Sequence, residues 1–176
     1  MAEEADAVVE ALRAGRLAVI PTDTVYGLVC AAADEAAAAA LYALKGRDAT
    51  QPVAVVVGSV DEALSLLPEL DRGLCVVVAA LLPGAFTLVL PNPARRFAWL
   101  NRTRPEAIGV RAPVLPAAVE AVLAAVGPIA ATSANLPGGP DPRRLEDVPA
   151  PIRAAVAAVL DLGPLPGVAS TVIDLT

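Results

Sequence analysis

Ile20-Pro21-Thr22-Asp23-Thr24-Val25-Tyr26-Gly27-Leu28 is the stretch around which the 176-residue chain is organised. The apolar run Leu17 to Ile20 reads as a buried strand, and Pro21, which lacks a backbone donor, is expected to stop the pairing and lead the chain out of the sheet. Two threonines, an aspartate and a tyrosine then fall within five residues, and Gly27 permits a close backbone turn. Two readings stand side by side here. One is a ligand site at a strand end; the other is a polar turn in which Asp23 and the threonine hydroxyls satisfy local amides.

Outward from this stretch, helices and strands alternate. Ala2 to Ala14 has acidic residues in its first turn, Val8, Val9 and Leu12 on one side, and Gly15 to end it, which describes a helix. Asp34 caps a second helix through Leu44, with Gly46 as its stop. Val53 to Val57 has the β-branched composition of a central strand; Val60 to Leu67 and Leu70 to Leu82 read as helices broken at Pro68. Strands are expected at Phe86 to Leu90, Ile108 to Arg111, Ile129 to Ser133 and Ser170 to Leu175, with a short one at Leu160 to Leu162. Leu115 to Val126 and Pro151 to Val159 read as helices. The pattern predicts a single α/β domain, with ligands gathered at the carboxyl edge of the strands.

Composition narrows the chemistry. A 56% hydrophobic content supplies a sizeable core for one domain. The longest apolar run, Leu74 to Leu82, is far short of the ~20 residues that span a bilayer, and Met1-Ala2-Glu3-Glu4 lacks signal-peptide character. A cytoplasmic protein without membrane contact is expected. Cys30 and Cys75 stand alone, and with no histidine in the chain, histidine triads and histidine metal sites are excluded. The net charge of −6 argues against a general nucleic-acid binder.

Lys45 is the single lysine beside twelve arginines. At the end of a helix it compensates the dipole, a contribution of only ~0.3 to 1 kcal/mol. Its spacing from Arg47 across Gly46, in a loop that leads to a central strand, also lets an ammonium and a guanidinium face one phosphate chain. No metal ligands are assigned.

The motifs together resemble the YrdC-like family. They are Pro21-Thr22-Asp23-Thr24-Val25-Tyr26-Gly27-Leu28, Lys45-Gly46-Arg47 with Pro52, Pro83-Gly84-Ala85-Phe86-Thr87, Gly109-Val110-Arg111-Ala112-Pro113, Ala131-Thr132-Ser133-Ala134-Asn135 and Ser170-Thr171-Val172. Six motifs in family order, spread over nearly the whole chain, make the resemblance specific. It implies an α/β fold with a twisted mixed sheet around a concave cleft, in the short single-domain form over residues 1–176. It also implies a threonylcarbamoyl-AMP synthase acting toward threonylcarbamoyladenosine on tRNA. By that resemblance Lys45, Arg47, Gln51, Ser133 and Asn135 bind ATP, with Lys45 and Arg47 the catalytic pair. Thr24, Arg111 and Ser170 receive L-threonine, and Thr22 and Tyr26 shape the same cavity. A structural ion pair is the alternative duty for Arg111, and a turn cap for Ser133 and Asn135. Val56 stands where some members of the family have a histidine near threonine, and Asp141 where a serine commonly assists the nucleotide.

The implied reaction joins threonine and bicarbonate as a carbamate, whose carboxylate attacks the α-phosphate of ATP and displaces pyrophosphate. Mg²⁺ accompanies ATP, and positioning with charge neutralisation suffices without a dedicated base. The product would pass to a tRNA threonylcarbamoyl transferase. The competing function is an RNA-binding module of the same fold, with Arg95, Arg96, Arg102 and Arg104 beside Phe97 and Trp99 offering a weak single-strand contact. An ordinary solvated loop is the stronger reading of that cluster. Pyrophosphate release without RNA separates enzyme from module.

Overall fold

The computed structural model describes residues 2–46 and 51–176, and in it helix α1 (Ala2–Arg13) leads into strand β1 (Ala18–Pro21), after which the chain reverses. Pro21 does not take the chain out of the sheet. It is the register partner of Tyr26, and Tyr26–Ala31 runs back antiparallel as β2, a strand absent from the sequence reading. Thr22 makes the reversal: its Oγ1 donates to the Val25 carbonyl (2.7 Å) and accepts from the Thr24 and Val25 amides (3.2 Å each).

Helix α2 (Glu35–Lys45) starts where Asp34 accepts from the Ala37 amide at 2.9 Å, and it ends at Gly46 in the left-handed region that glycine adopts without a Cβ penalty. Asp34→Ala is expected to lower stability by about 1 kcal/mol, read as a 2 to 4 °C fall (roughly) in thermal melting. Then follow β3 (Ala54–Val56), α3 (Val60–Leu66), α4 (Arg72–Leu81), β4 (Phe86–Pro91), β5 (Ala107–Arg111), α5 (Ala117–Val126) and β6 (Ile129–Ser133). The chain closes with α6 (Ala150–Ala155), β7 (Ala158–Val159) and β8 (Thr171–Asp174). The helix expected to reach Val159 therefore stops at Ala155. Ala158 and Val159 pair in parallel with Ala18 and Val19 instead, two residues before the strand expected at Leu160.

Among the described residues the eight strands form one mixed sheet in the order β7-β1-β2-β6-β3-β5-β4-β8. Alternate residues feed two cores, as the period of a strand requires. Val19, Leu28, Val55, Leu88 and Val110 pack on the side that buries α2; Ile20, Val29, Val56 and Ile129 pack with α1 and α5 on the other. On this second side the helical cover stops at β3. Ala54 at the start of β3, and Thr87, Val89, Gly109 and Val172 on the strands beyond, line hollows instead of a core. The bare half of the sheet is the floor of a cleft. No helix of the described residues is long and apolar enough to cross a membrane.

Candidate active site

Two strand ends and one helix end meet at one side of this cleft. The last residue of α2, Lys45, is only 4% exposed, and its Nζ donates to the Ser133 carbonyl and to Asn135 Oδ1 (2.6 Å), with Ser133 Oγ at 3.3 Å. Ser133 Oγ donates in turn to Asn135 Oδ1 (2.8 Å), and Asn135 Nδ2 donates to the Gly139 carbonyl (2.8 Å) and to Asp141 Oδ1 (3.2 Å). The amide of Asn135 is thus fixed with its oxygen toward the ammonium. Lys45, Gln51, Ser133 and Asn135 line a hollow of about 190 Å³ with Leu136, Pro137 and Gly138. Arg47, the other half of the expected catalytic pair, lies outside the described residues.

Ser133 also belongs to the neighbouring hollow of about 300 Å³, lined among others by Thr24, Arg111, Asp141 and Ser170. Arg111 ends β5 and donates from Nη2 to Asp23 Oδ1 (2.6 Å), with Thr24 Oγ1 at 3.4 Å. Ser170 Oγ shares a 2.8 Å hydrogen bond with Thr87 Oγ1. A third hollow of about 400 Å³, which shares Pro52, Ala54 and Val172 with the second, continues over the bare sheet. A pocket lined by Lys45 therefore adjoins one lined by Arg111, with Ser133 common to both.

Thr22 and Tyr26 do not line these hollows. Thr22 belongs to the hairpin turn behind Thr24. Tyr26 is fully buried in the α2-side core, where its hydroxyl donates to Asp161 Oδ1 (2.5 Å), with the Gly163 carbonyl oxygen 2.8 Å away. Burial, with the Asp161 carboxylate second, pushes the Tyr26 phenol up to about 12, so it stays a neutral donor. Together with the Gly167 amide on the Thr24 carbonyl (2.8 Å), this fastens the segment that runs from β7 to Ser170. Val56 is buried against the α1 and α5 layer.

Three residues at the site carried no assigned role in the sequence reading: Asp23 as partner of Arg111, Thr87 as partner of Ser170, and Asp161 as anchor of Tyr26. Asp23 and Thr87 lie within the motifs Pro21 to Leu28 and Pro83 to Thr87, but all three contacts span 83 to 135 residues, for which local spacing carries no signal.

The aromatic and basic cluster braces the chain against itself. Arg96 grips Glu69 with two bonds (2.8 and 2.7 Å), Arg104 meets Asp174 at 3.1 Å, and Arg102 lies 3.8 Å from Glu35. Trp99 donates to the Ala32 carbonyl (3.1 Å), and Phe97 packs edge-on to it with centroids 5.9 Å apart. Both rings also pack on the core, so they do not form an open stacking platform.

Ser133→Ala and Asn135→Ala are each expected to raise the KM for ATP about tenfold, one hydrogen bond's worth in a charged setting, with melting little changed. Unfolding of either variant would place both residues in the turn-capping role.

The family profile Sua5_yciO_yrdC, described as telomere recombination, matches residues 10–176. A Mycobacterium tuberculosis protein named provisionally as a threonylcarbamoyl-AMP synthase is 40% identical over 96% of this chain and 77% of its own length. The Pyrococcus abyssi threonylcarbamoyl-AMP synthase is 33% identical over 94% of this chain and 48% of its own. Among solved structures, P. abyssi Sua5 complexed with L-threonine matches with a TM-score of 0.83 at 31% identity, covering 99% of this chain and 52% of that one. E. coli YciO matches at 0.86 and 25% identity, over 100% of this chain and 85% of that one. The chain thus spans about half the length of the P. abyssi proteins it matches.

Proposed function

The chain belongs to the Sua5–YciO–YrdC family, and from that premise we propose that its cleft converts L-threonine, bicarbonate and ATP into threonylcarbamoyl-AMP and pyrophosphate. The observation that carries this reading is the adjacency of the Lys45 and Arg111 pockets through Ser133. Two anionic substrates, an amino-acid carboxylate and a polyphosphate, then lie side by side with their reacting ends at the shared wall. The solved structure that contains L-threonine supports the amino-acid half.

In this reading Arg111 takes the threonine carboxylate, with the Thr24 and Ser170 hydroxyls beside it. Lys45, aimed by Ser133 and Asn135, faces the phosphates, and Gln51 borders them. Arg47 completes the cationic pair by its resemblance-implied role. The carbamate formed on the threonine amine is already ionised, so its attack on the α-phosphate needs alignment and neutralisation, not proton removal. Mg²⁺ bound with ATP would supply further charge neutralisation, and Asp141, which hydrogen-bonds Asn135 and lines the neighbouring hollow, is the carboxylate that would face it. Residues 1–176 act as one domain in the cytoplasm, and the labile product passes to a tRNA threonylcarbamoyl transferase. The test is pyrophosphate release from ATP with threonine and bicarbonate in the absence of RNA. Release that ignores threonine, or that requires RNA, would remove the synthase reading.

A further inference from the structure

We propose that Asp23 is the positioning residue of the amino-acid pocket: it holds Arg111 by Nη2 so that the remaining face of the guanidinium meets the substrate carboxylate. The inference rests on the synthase reading of the cleft. Asp23 sits in the β1–β2 turn, whereas Arg111 ends β5, and β6 and β3 lie between β2 and β5 in the sheet. Only a turn of fixed shape can reach so far with a short side chain. That shape is held by Thr22 Oγ1 from within and by the Gly167 amide on the Thr24 carbonyl from outside.

The guanidinium has five donors, and its use here is asymmetric. Nη2 is committed to Asp23 at 2.6 Å, and Nε is buried without a partner. The guanidinium's hydrogen bonds among the described residues come from Nη2, and Arg111 lines the hollow that also holds Thr24 and Ser170. An arginine left to itself in a cleft would sweep many rotamers. Pinning one nitrogen removes that freedom before the ligand arrives, which is where pre-organised binding gains its affinity.

Energetics support a functional origin for the pair. The side chains of Arg111 and Asp23 are only 10% and 13% exposed. Burial pushes the Asp23 carboxyl up and the Arg111 guanidinium down, in each case ahead of the attraction between them. Such a pair is a weak stabiliser of a fold, because desolvation opposes the Coulomb gain. It does keep a cation ready at a fixed place. Asp23 thus aids threonine by geometry and opposes it by charge, and the two effects can be separated by substitution.

Asp23→Asn keeps an acceptor oxygen for Nη2 and removes the opposing charge, so the KM for threonine should stay within about threefold of wild type. Asp23→Ala removes the acceptor, and the KM for threonine should rise about tenfold or more while that for ATP stays within about twofold. Steady-state pyrophosphate release, varied in each substrate, reads both. A merely structural Asp23 would lower kcat and melting without splitting the two KM values. Three results overturn the assignment alone, given a wild-type protein that responds to threonine: an Ala variant with unchanged threonine KM, equal rises for both substrates, or an Asn variant as impaired as the Ala variant. If the Ala variant fails to fold, the Asn variant decides by its threonine KM. A wild-type protein with no threonine response overturns the synthase reading and the assignment with it.

Discussion

Replacing Lys45 by methionine should slow pyrophosphate release about a hundredfold, a loss of roughly 3 kcal/mol of transition-state stabilisation. Stability should change by less than about 1 kcal/mol, since methionine suits a helix end and a site only 4% exposed, and relief from burying a cation offsets the hydrogen bonds lost to Ser133 and Asn135. A residue that only compensates the α2 dipole would leave turnover near normal. Lys45→Arg should recover only part of the rate, because a planar fork cannot take the place of a compact ammonium aimed at the Asn135 oxygen. Rates and melting measured on the same preparations separate the two roles: a Met variant that melts and turns over normally removes Lys45 from the mechanism.

Arg111→Ala should raise the KM for threonine about a hundredfold, the value of charge-assisted hydrogen bonding to a carboxylate, and leave the KM for ATP nearly unchanged. It should also lower stability by about 2 to 3 kcal/mol, because Asp23 would be left as a buried carboxylate without its partner. The double variant Asp23→Asn with Arg111→Ala tells these apart. It should regain most of the melting temperature and none of the threonine affinity. Recovery of both, or an equal rise in KM for both substrates, would make the pair a purely structural one.

Much of the architecture was legible because its signals are local. Asp34 and Gly46 mark the ends of α2 by capping chemistry, and the β-branched run around Val55 marks the central strand. The errors lie where tertiary pairing overrides a local signal. Pro21 can be the last residue of β1 because the hairpin turn, closed by the Thr22 hydroxyl, needs no donor there, and so β2 follows without leaving the sheet. Ala158 and Val159 have a composition that continues a helix, yet the Leu17 and Val19 carbonyls accept from the Ala157 and Leu160 amides and draw the segment to the sheet edge. The site divides along the same line. Lys45, Ser133, Asn135, Arg111 and Ser170 lie at the ends of elements, where strand-end reasoning looks, whereas the pairing of Arg111 with Asp23 and the burial of the Tyr26 ring depend on the sheet order.

The decisive measurement supplies the purified protein with ¹³C-bicarbonate, L-threonine and ATP, without RNA, and follows nucleotide products by mass spectrometry. The expected product is threonylcarbamoyl-AMP carrying the label, formed together with pyrophosphate and lost when threonine is omitted. Unlabelled nucleotide alone, or pyrophosphate formed equally without threonine, would contradict a synthase built on the adjoining Lys45 and Arg111 pockets.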